Sequence, residues 1–320
     1  MLLLLVLLEV GFRLSGYRPQ ANTATPHMRV VPNTMFAYDS IFGNKMNPGH
    51  YTIYQPKTQY DVTINTDGYR VTALTDSGLN TLNPAIIFLG GPSMFGHGIN
   101  DNETCPFFVQ SLLPQYKVIN LATPNSGLAD NYLRLTRFPY LHADDLVVYV
   151  YHSLHDNRGK MSNLKRLGIA GSDMEYRFVT LDTNLTPHLN THHHAKFPLS
   201  AYSALTGYLE LAYNRSMNED KDGHLIAEKA ILTMSKWCIA HNSKFVLVYW
   251  QPDKQRNETI DYCNRNGIKT IVFKADISFK DLVGHQPLAT ANKAFADSLI
   301  SHLTAKGLID TLKVSSAIAK

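Results

Sequence analysis

Short apolar runs bounded by polar or glycine residues recur along most of this chain: Ile86–Leu89, Tyr116–Leu121, Leu146–Tyr151, Phe245–Tyr249 and Thr270–Phe273. They lack the alternation of half-exposed strands and fit parallel strands buried on both faces. Segments with helical spacing lie between and after them: Glu103–Leu113, Leu128–Phe138, Leu199–Tyr213, His224–His241, Glu258–Asn266 and Leu288–Leu303. Asp222 and Gly223 ahead of Leu225-Ile226-Ala227-Glu228 supply a helix start. The alternation predicts an α/β protein, a three-layer α/β/α sandwich around a five-stranded parallel sheet with right-handed crossovers. Residues 157–198 break the rhythm with Gly159, Gly168, Gly171 and a hairpin signal at Asp182-Thr183-Asn184, which predicts an insertion beside the sheet.

The region before the sheet follows another pattern. From Phe36 to Val71, aromatic residues are separated by turn pairs such as Tyr38-Asp39, Phe42-Gly43 and Pro48-Gly49, which predicts short strands and loops. Residues 20 to 30 are polar and rich in Pro and Thr, as a linker is. Met1 to Leu8 is continuously apolar but stops at Glu9. That run is shorter than the roughly 20 residues a spanning helix needs, and it lacks the basic start and small-residue cleavage site of a signal peptide. Two readings stand: the tail of a membrane anchor, or a short buried helix. The expected division is 1–19 as anchor tail, 20–80 as linker and short-strand segment, and 81–310 as the α/β domain.

Composition narrows the classes. The 320 residues are 44% hydrophobic and 18% charged, an ordinary globular balance with room for a large core. The net charge of +4 is small and the basic residues are scattered, so no nucleic-acid partner is expected. Cys105, Cys238 and Cys263 are far apart, giving neither a disulfide framework nor a metal pair, and read as buried thiols. His192-His193-His194 cannot all reach one ion from one stretch of backbone, and no metal-ligand spacing accompanies them. They read as a solvated loop, and no metal or cofactor is expected.

The candidate chemistry lies at Ile86-Ile87-Phe88-Leu89-Gly90-Gly91-Pro92-Ser93-Met94-Phe95-Gly96-His97-Gly98. An apolar strand ends in paired glycines, then a serine, then a helix start, where α/β hydrolytic folds place a nucleophile. A serine at a helix start also serves as an N-cap, and that reading of Ser93 stays open. The stretch resembles the first block of the SGNH/GDSL hydrolase family, whose usual form is Gly-Asp-Ser-hydrophobic-Thr-Phe-Gly. Aligned on Phe88-Leu89-Gly90 and Phe95-Gly96, it puts Pro92 where the family has its serine.

Three further blocks resemble the same family. Val118-Ile119-Asn120-Leu121-Ala122-Thr123-Pro124-Asn125-Ser126-Gly127 is similar to its second block, with Asn125 at the oxyanion glycine. His152-Ser153-Leu154-His155-Asp156-Asn157 stands at its third block, where a second alignment that stays open sets His155 and Arg158 in an Asp-His-x-x-Arg variant. His285-Gln286-Pro287 leading to Asn292-Lys293-Ala294-Phe295-Ala296 is similar to its fourth. The resemblance implies the family's flavodoxin-like fold and an esterase or acyl-transferase acting on an acylated saccharide or lipid. Ser93 becomes the nucleophile only where the turn slides by one residue; the resemblance makes His285 the base and Asp281 its orienting acid, one step before Leu282, which occupies the expected aspartate position. Gly91, Asn125 and His152 would line the oxyanion site. A relative that has lost catalysis and binds glycan or a partner enzyme is the alternative.

Leu8-Glu9-Val10-Gly11-Phe12-Arg13-Leu14-Ser15-Gly16-Tyr17-Arg18-Pro19 and Asn65-Thr66-Asp67-Gly68-Tyr69-Arg70 are similar to segments of membrane-anchored SGNH proteins. They imply membrane attachment through the N-terminal segment, with the domain facing the periplasm or cell exterior.

Overall fold

The computed structural model describes residues 2–19, 29–55, 58–74, 84–124, 126–152, 175–193, 195–216, 223–251, 258–274, 282–283 and 286–310. At its centre five parallel strands run in the order β12-β11-β8-β6-β7. They are β6 (Ala85–Leu89), β7 (Lys117–Asn120), β8 (Leu146–Tyr151), β11 (Lys244–Gln251) and β12 (Lys269–Lys274). In order along the chain this is the 2-1-3-4-5 arrangement of flavodoxin-like folds, whose direction reverses between β6 and β8.

Each strand is apolar on both faces because helices cover both. Ile86 and Phe88 of β6 join one core with Val148 of β8 and Phe295 and Leu299 of α8 (Ala289–Ala305). Ile87 and Leu89 join the other with Tyr149, Ile231 and Met234. On the first face α8 packs with α3 (Cys105–Leu112). On the second, α6 (Gly223–Ala240) packs with α4 (Leu128–Thr136) and α7 (Glu258–Arg265). The expected three-layer α/β/α sandwich is therefore the fold. All three cysteines are buried thiols, and burial pushes Cys238 and Cys263 up to about 12.

An antiparallel sheet precedes this core in the order β1-β4-β5: β1 (Arg29–Val31), β4 (Gly49–Gln55) and β5 (Thr58–Ile64). A separate hairpin pairs β2 (Phe36–Asp39) with β3 (Gly43–Met46). Arg70 bridges Ile64 on one side and Asn120 on the other, joining the antiparallel sheet to the edge of the parallel one. The supposed linker thus ends in strand, because Arg29 and Val30 find partners in Tyr54 and Ile53 of β4.

Two further expectations change. His192 and His193 belong to β10 (Pro187–His193), opposite Tyr176 and Glu175 of β9 (Glu175–Leu181). They are strand residues and not a loop, since pairing across the Asp182–Thr186 turn carries the strand through them; His194 lies outside the described residues. The helix expected from Leu199 begins later, as α5 (Ala204–Ser216), after a turn that holds Leu199 at φ 65°.

The N-terminal segment forms α1 (Leu2–Leu14). No helix among the described residues is long and apolar enough to cross a membrane.

Candidate functional site

The strand order reverses between β6 and β8, and ligands of open α/β sheets bind beyond the carboxyl ends of strands at such a point. Leu89 pairs with Tyr149 there, so the chain beyond β6 and the chain beyond β8 leave the sheet side by side. Gly90 is one residue past β6, and His152 is one residue past β8 and partly buried. Gly91 is the N-cap of the short helix α2 (Pro92–Phe95), with Pro92 in its first turn.

The turn is held from behind. Gly90 N–H donates to Asn131 Oδ1 at 2.8 Å, and Asn131 Nδ2 donates to Gly127 O at 2.7 Å. The Gly90 carbonyl accepts from Ser126 Oγ, which also bonds Thr123 O at 3.0 Å. A Cβ at Gly90 would meet Met94 Cβ at 2.8 Å and Val150 O at 3.3 Å, so the chain passes too closely for a side chain. Asn120 Nδ2 takes the Met94 carbonyl at 3.1 Å at the other end of α2.

Beyond α2, Gly96 adopts φ 90° and the chain closes on Arg70. Arg70 is fully buried, and all five of its N–H donors are used. Nε bonds Asp101 Oδ1 at 2.8 Å, Nη1 bonds Phe95 O at 2.9 Å and Gly96 O at 2.6 Å, and Nη2 bonds Asp61 O at 3.0 Å and Ile99 O at 2.8 Å. The Asp101 carboxylate also accepts Thr63 N–H at 2.9 Å, fastening this loop to β5.

These restraints fix the register. Sliding Ser93 into the place of Pro92 would put His97 at the Gly96 position, where a Cβ stands 2.7 Å from Arg70 Nη1. It would also put Gly90 in the fully buried slot of Leu89. Ser93 therefore stays at the second helical position, about 100° around the helix from Pro92. It is not the N-cap that a serine at a helix start suggested; Gly91 is.

The other expected site residues, Asn125, Asp281 and His285, lie outside the described residues. Their neighbours in the chain are placed. Ser126 touches Gly90. The short strands β13 (Leu282–Val283) and β14 (Gln286–Pro287) pair with each other, and β14 lies against α2 and α8. Asn292 of α8 accepts Cys105 N–H at 3.2 Å and donates to Leu288 O at 3.0 Å, tying that segment to α3.

Sequence reasoning gave no role to His97. Its Nε2 is 2.6 Å from the Gln55 side-chain amide and its Nδ1 3.2 Å from Tyr60 Oη. Burial pushes the Tyr60 phenol up to about 12, so it stays protonated at neutral pH and can donate to Nδ1. Among the described residues no three or more of His, Cys, Asp and Glu come together as a metal site would require.

No model of a known protein family and no curated protein matches the chain. Among solved structures it is similar to a Bacteroides fragilis protein described as a candidate acylhydrolase. That match has 12% identity, covers 70% of this chain and 88% of the other, and has a TM-score of 0.39. It is also similar to the protein YxiM of Bacillus subtilis, at 10% identity, 88% and 74% coverage and a TM-score of 0.41. At such scores the fold rests on the strand order, and function must be argued from the residues of the crevice.

Proposed function

We propose that the crevice between β6 and β8 receives an acylated saccharide or lipid, and that the chain is an SGNH-type esterase or acyl-transferase of low turnover. One observation carries this reading: a glycine-glycine-proline-serine turn is fixed at the switch point of the sheet. In the proposed step Ser93 Oγ, acting from the second helical position and not from the place of Pro92, attacks the acyl carbon while His285 takes its proton, and Asp281 orients His285. Gly91, Asn125 and His152 supply hydrogen bonds to the oxyanion. The C–O bond to the leaving alcohol then breaks, and His285 returns the proton to that alcohol. Water or a second alcohol releases the acyl group. The substrate is met outside the cytoplasm by a domain attached to the membrane through its N-terminal segment.

Turnover is low because proline at position 92 carries neither a hydroxyl nor an amide hydrogen. That residue also favours a second reading, a protein that binds the same glycan or a partner enzyme without turning it over. Hydrolysis of short-chain acyl esters by the wild type and Ser93→Ala separates the two. Slow wild-type hydrolysis that Ser93→Ala abolishes supports the enzyme. Equal rates, or none from either, leave the binding reading in its place.

A further inference from the structure

The first part of α1, residues 2–8, is apolar all the way round. Leu3, Leu4, Leu5, Val6 and Leu7 are 46 to 74% exposed, and consecutive positions at about 100° per residue go right round a helix. A protein groove covers one stripe of a helix, whereas hydrocarbon covers the whole circumference.

The helix is not joined to the domain by a loose tether. The Glu9 carboxylate accepts from Ser203 Oγ at 2.7 Å and from the Ala204 and Leu205 N–H groups at 3.0 Å each, capping α5 from outside. Ser203 Oγ accepts Thr206 N–H at 3.1 Å, so the donors of the first turn of α5 are taken. Arg13 bonds Glu9 at 2.6 Å and the Tyr202 carbonyl at 2.8 Å. Phe12, Tyr17 and Tyr208 form a three-ring cluster with centroids 4.9 to 5.3 Å apart.

Around this junction the surface has the composition of a membrane interface. Tyr202 is 77% exposed and Leu199 68%, with Tyr17, Arg13 and Arg18 also open to solvent. Tyrosine and arginine concentrate at the headgroup level, where an apolar body and a polar tip are both satisfied. Arg13, which holds the Tyr202 turn, is about 7.5 Å along the helix from Leu8, at 1.5 Å per residue. That matches an interfacial layer of about 5–7 Å outside the hydrocarbon.

We infer that the Leu199–Tyr202 turn and the base of α1 form one bilayer contact, which seats the domain on the lipid headgroups in a fixed orientation. This rests on α1 being the membrane-seeking segment, and the test separates the two ideas. The native cysteines are buried, so a polarity-sensitive dye can be attached to the full chain at Tyr202→Cys or, as a control, Ile239→Cys. The probe is a vesicle of phosphatidylcholine with a minority of phosphatidylglycerol, carrying some nitroxide-headgroup lipid. The chain should float with the vesicles, the dye at 202 should shift blue, and it should be quenched several-fold more than at 239. Adding Glu9→Ala should leave flotation intact and reduce quenching at 202. A bound chain whose dye at 202 still reports water overturns the contact while leaving the anchor. Failure to float overturns both. Quenching at 202 that ignores Glu9→Ala overturns the fixed orientation.

Discussion

Behind the turn at the end of β6 the Gly90 backbone and the Arg70 guanidinium are fully bonded; on the other side stand the residues of the proposed chemistry. Gly90 gives its N–H to Asn131 and its carbonyl to Ser126, and Arg70 spends five donors on four carbonyls and one carboxylate. The crevice side carries Pro92, a serine one helical step away, and His152. The comparison teaches that the path of this turn is set by the residues behind it and not by those on the crevice side. A side chain on the crevice side can therefore be exchanged while the backbone keeps its path. The two regions should respond to mutation in opposite ways, one in stability and the other in rate.

The largest effect is expected behind the turn. Arg70→Ala strands Asp101 and four backbone carbonyls, and breaking a buried pair by removing one partner costs about 3–5 kcal/mol. Denaturant unfolding should show a loss of that order or a chain that no longer folds. A loss below about 1 kcal/mol, within the range of an exposed ion pair, would mean that Arg70 does not organise this loop.

The crevice side comes next, read in rate. Pro92→Ser restores a hydroxyl and a backbone N–H where the family resemblance puts the nucleophile. Removing a single oxyanion donor costs roughly 10²–10³ in rate, about 2.7–4 kcal/mol. Pro92→Ser combined with Leu282→Asp should gain ester hydrolysis of that order over wild type, with unfolding little changed. An inert double variant that still folds would count against the proposed ester chemistry.

Smaller is the effect of Asn131→Ala, which leaves the Gly90 N–H buried without its acceptor at a cost of about 1–3 kcal/mol. Its signature should be mixed: reduced stability in unfolding, and altered ester binding because the turn is released. A change in binding with no change in stability would place Asn131 on the crevice side of the comparison.

Much of the fold was legible because buried parallel strands must be apolar on both faces, and Ile86–Leu89 and Leu146–Tyr151 are. The candidate turn was legible for a related reason, since paired glycines after a buried strand mark a close backbone approach. Its register was not. Whether Ser93 can move into the place of Pro92 depends on Arg70 and Leu89, and Arg70 lies far away along the chain. Asn131 and Ser126 gave no signal because their partners are backbone atoms, which leave no trace in side-chain spacing. Arg29–Val31 and His192–His193 misled for one reason: strand formation there is decided by a partner strand and not by local composition. Glu9 read as the residue that ends an apolar run, when its carboxylate caps a helix nearly two hundred residues away.

The smallest stability effect is expected at Ser93 itself. Had Ser93 been the N-cap of α2, Ser93→Ala would remove an acceptor for a helical N–H and cost typically about 1 kcal/mol. Gly91 holds that position, and α2 is secured by Asn120 at Met94 O, by Arg70 at Phe95 O and by the Gly90 contacts. Ser93→Ala should therefore cost less than the roughly 1 kcal/mol of a lost cap. Measured beside ester hydrolysis, the same variant decides what the hydroxyl is for. Unchanged stability with abolished turnover makes it the nucleophile, and a loss near 1 kcal/mol with unchanged turnover would return Ser93 to the frame behind the crevice.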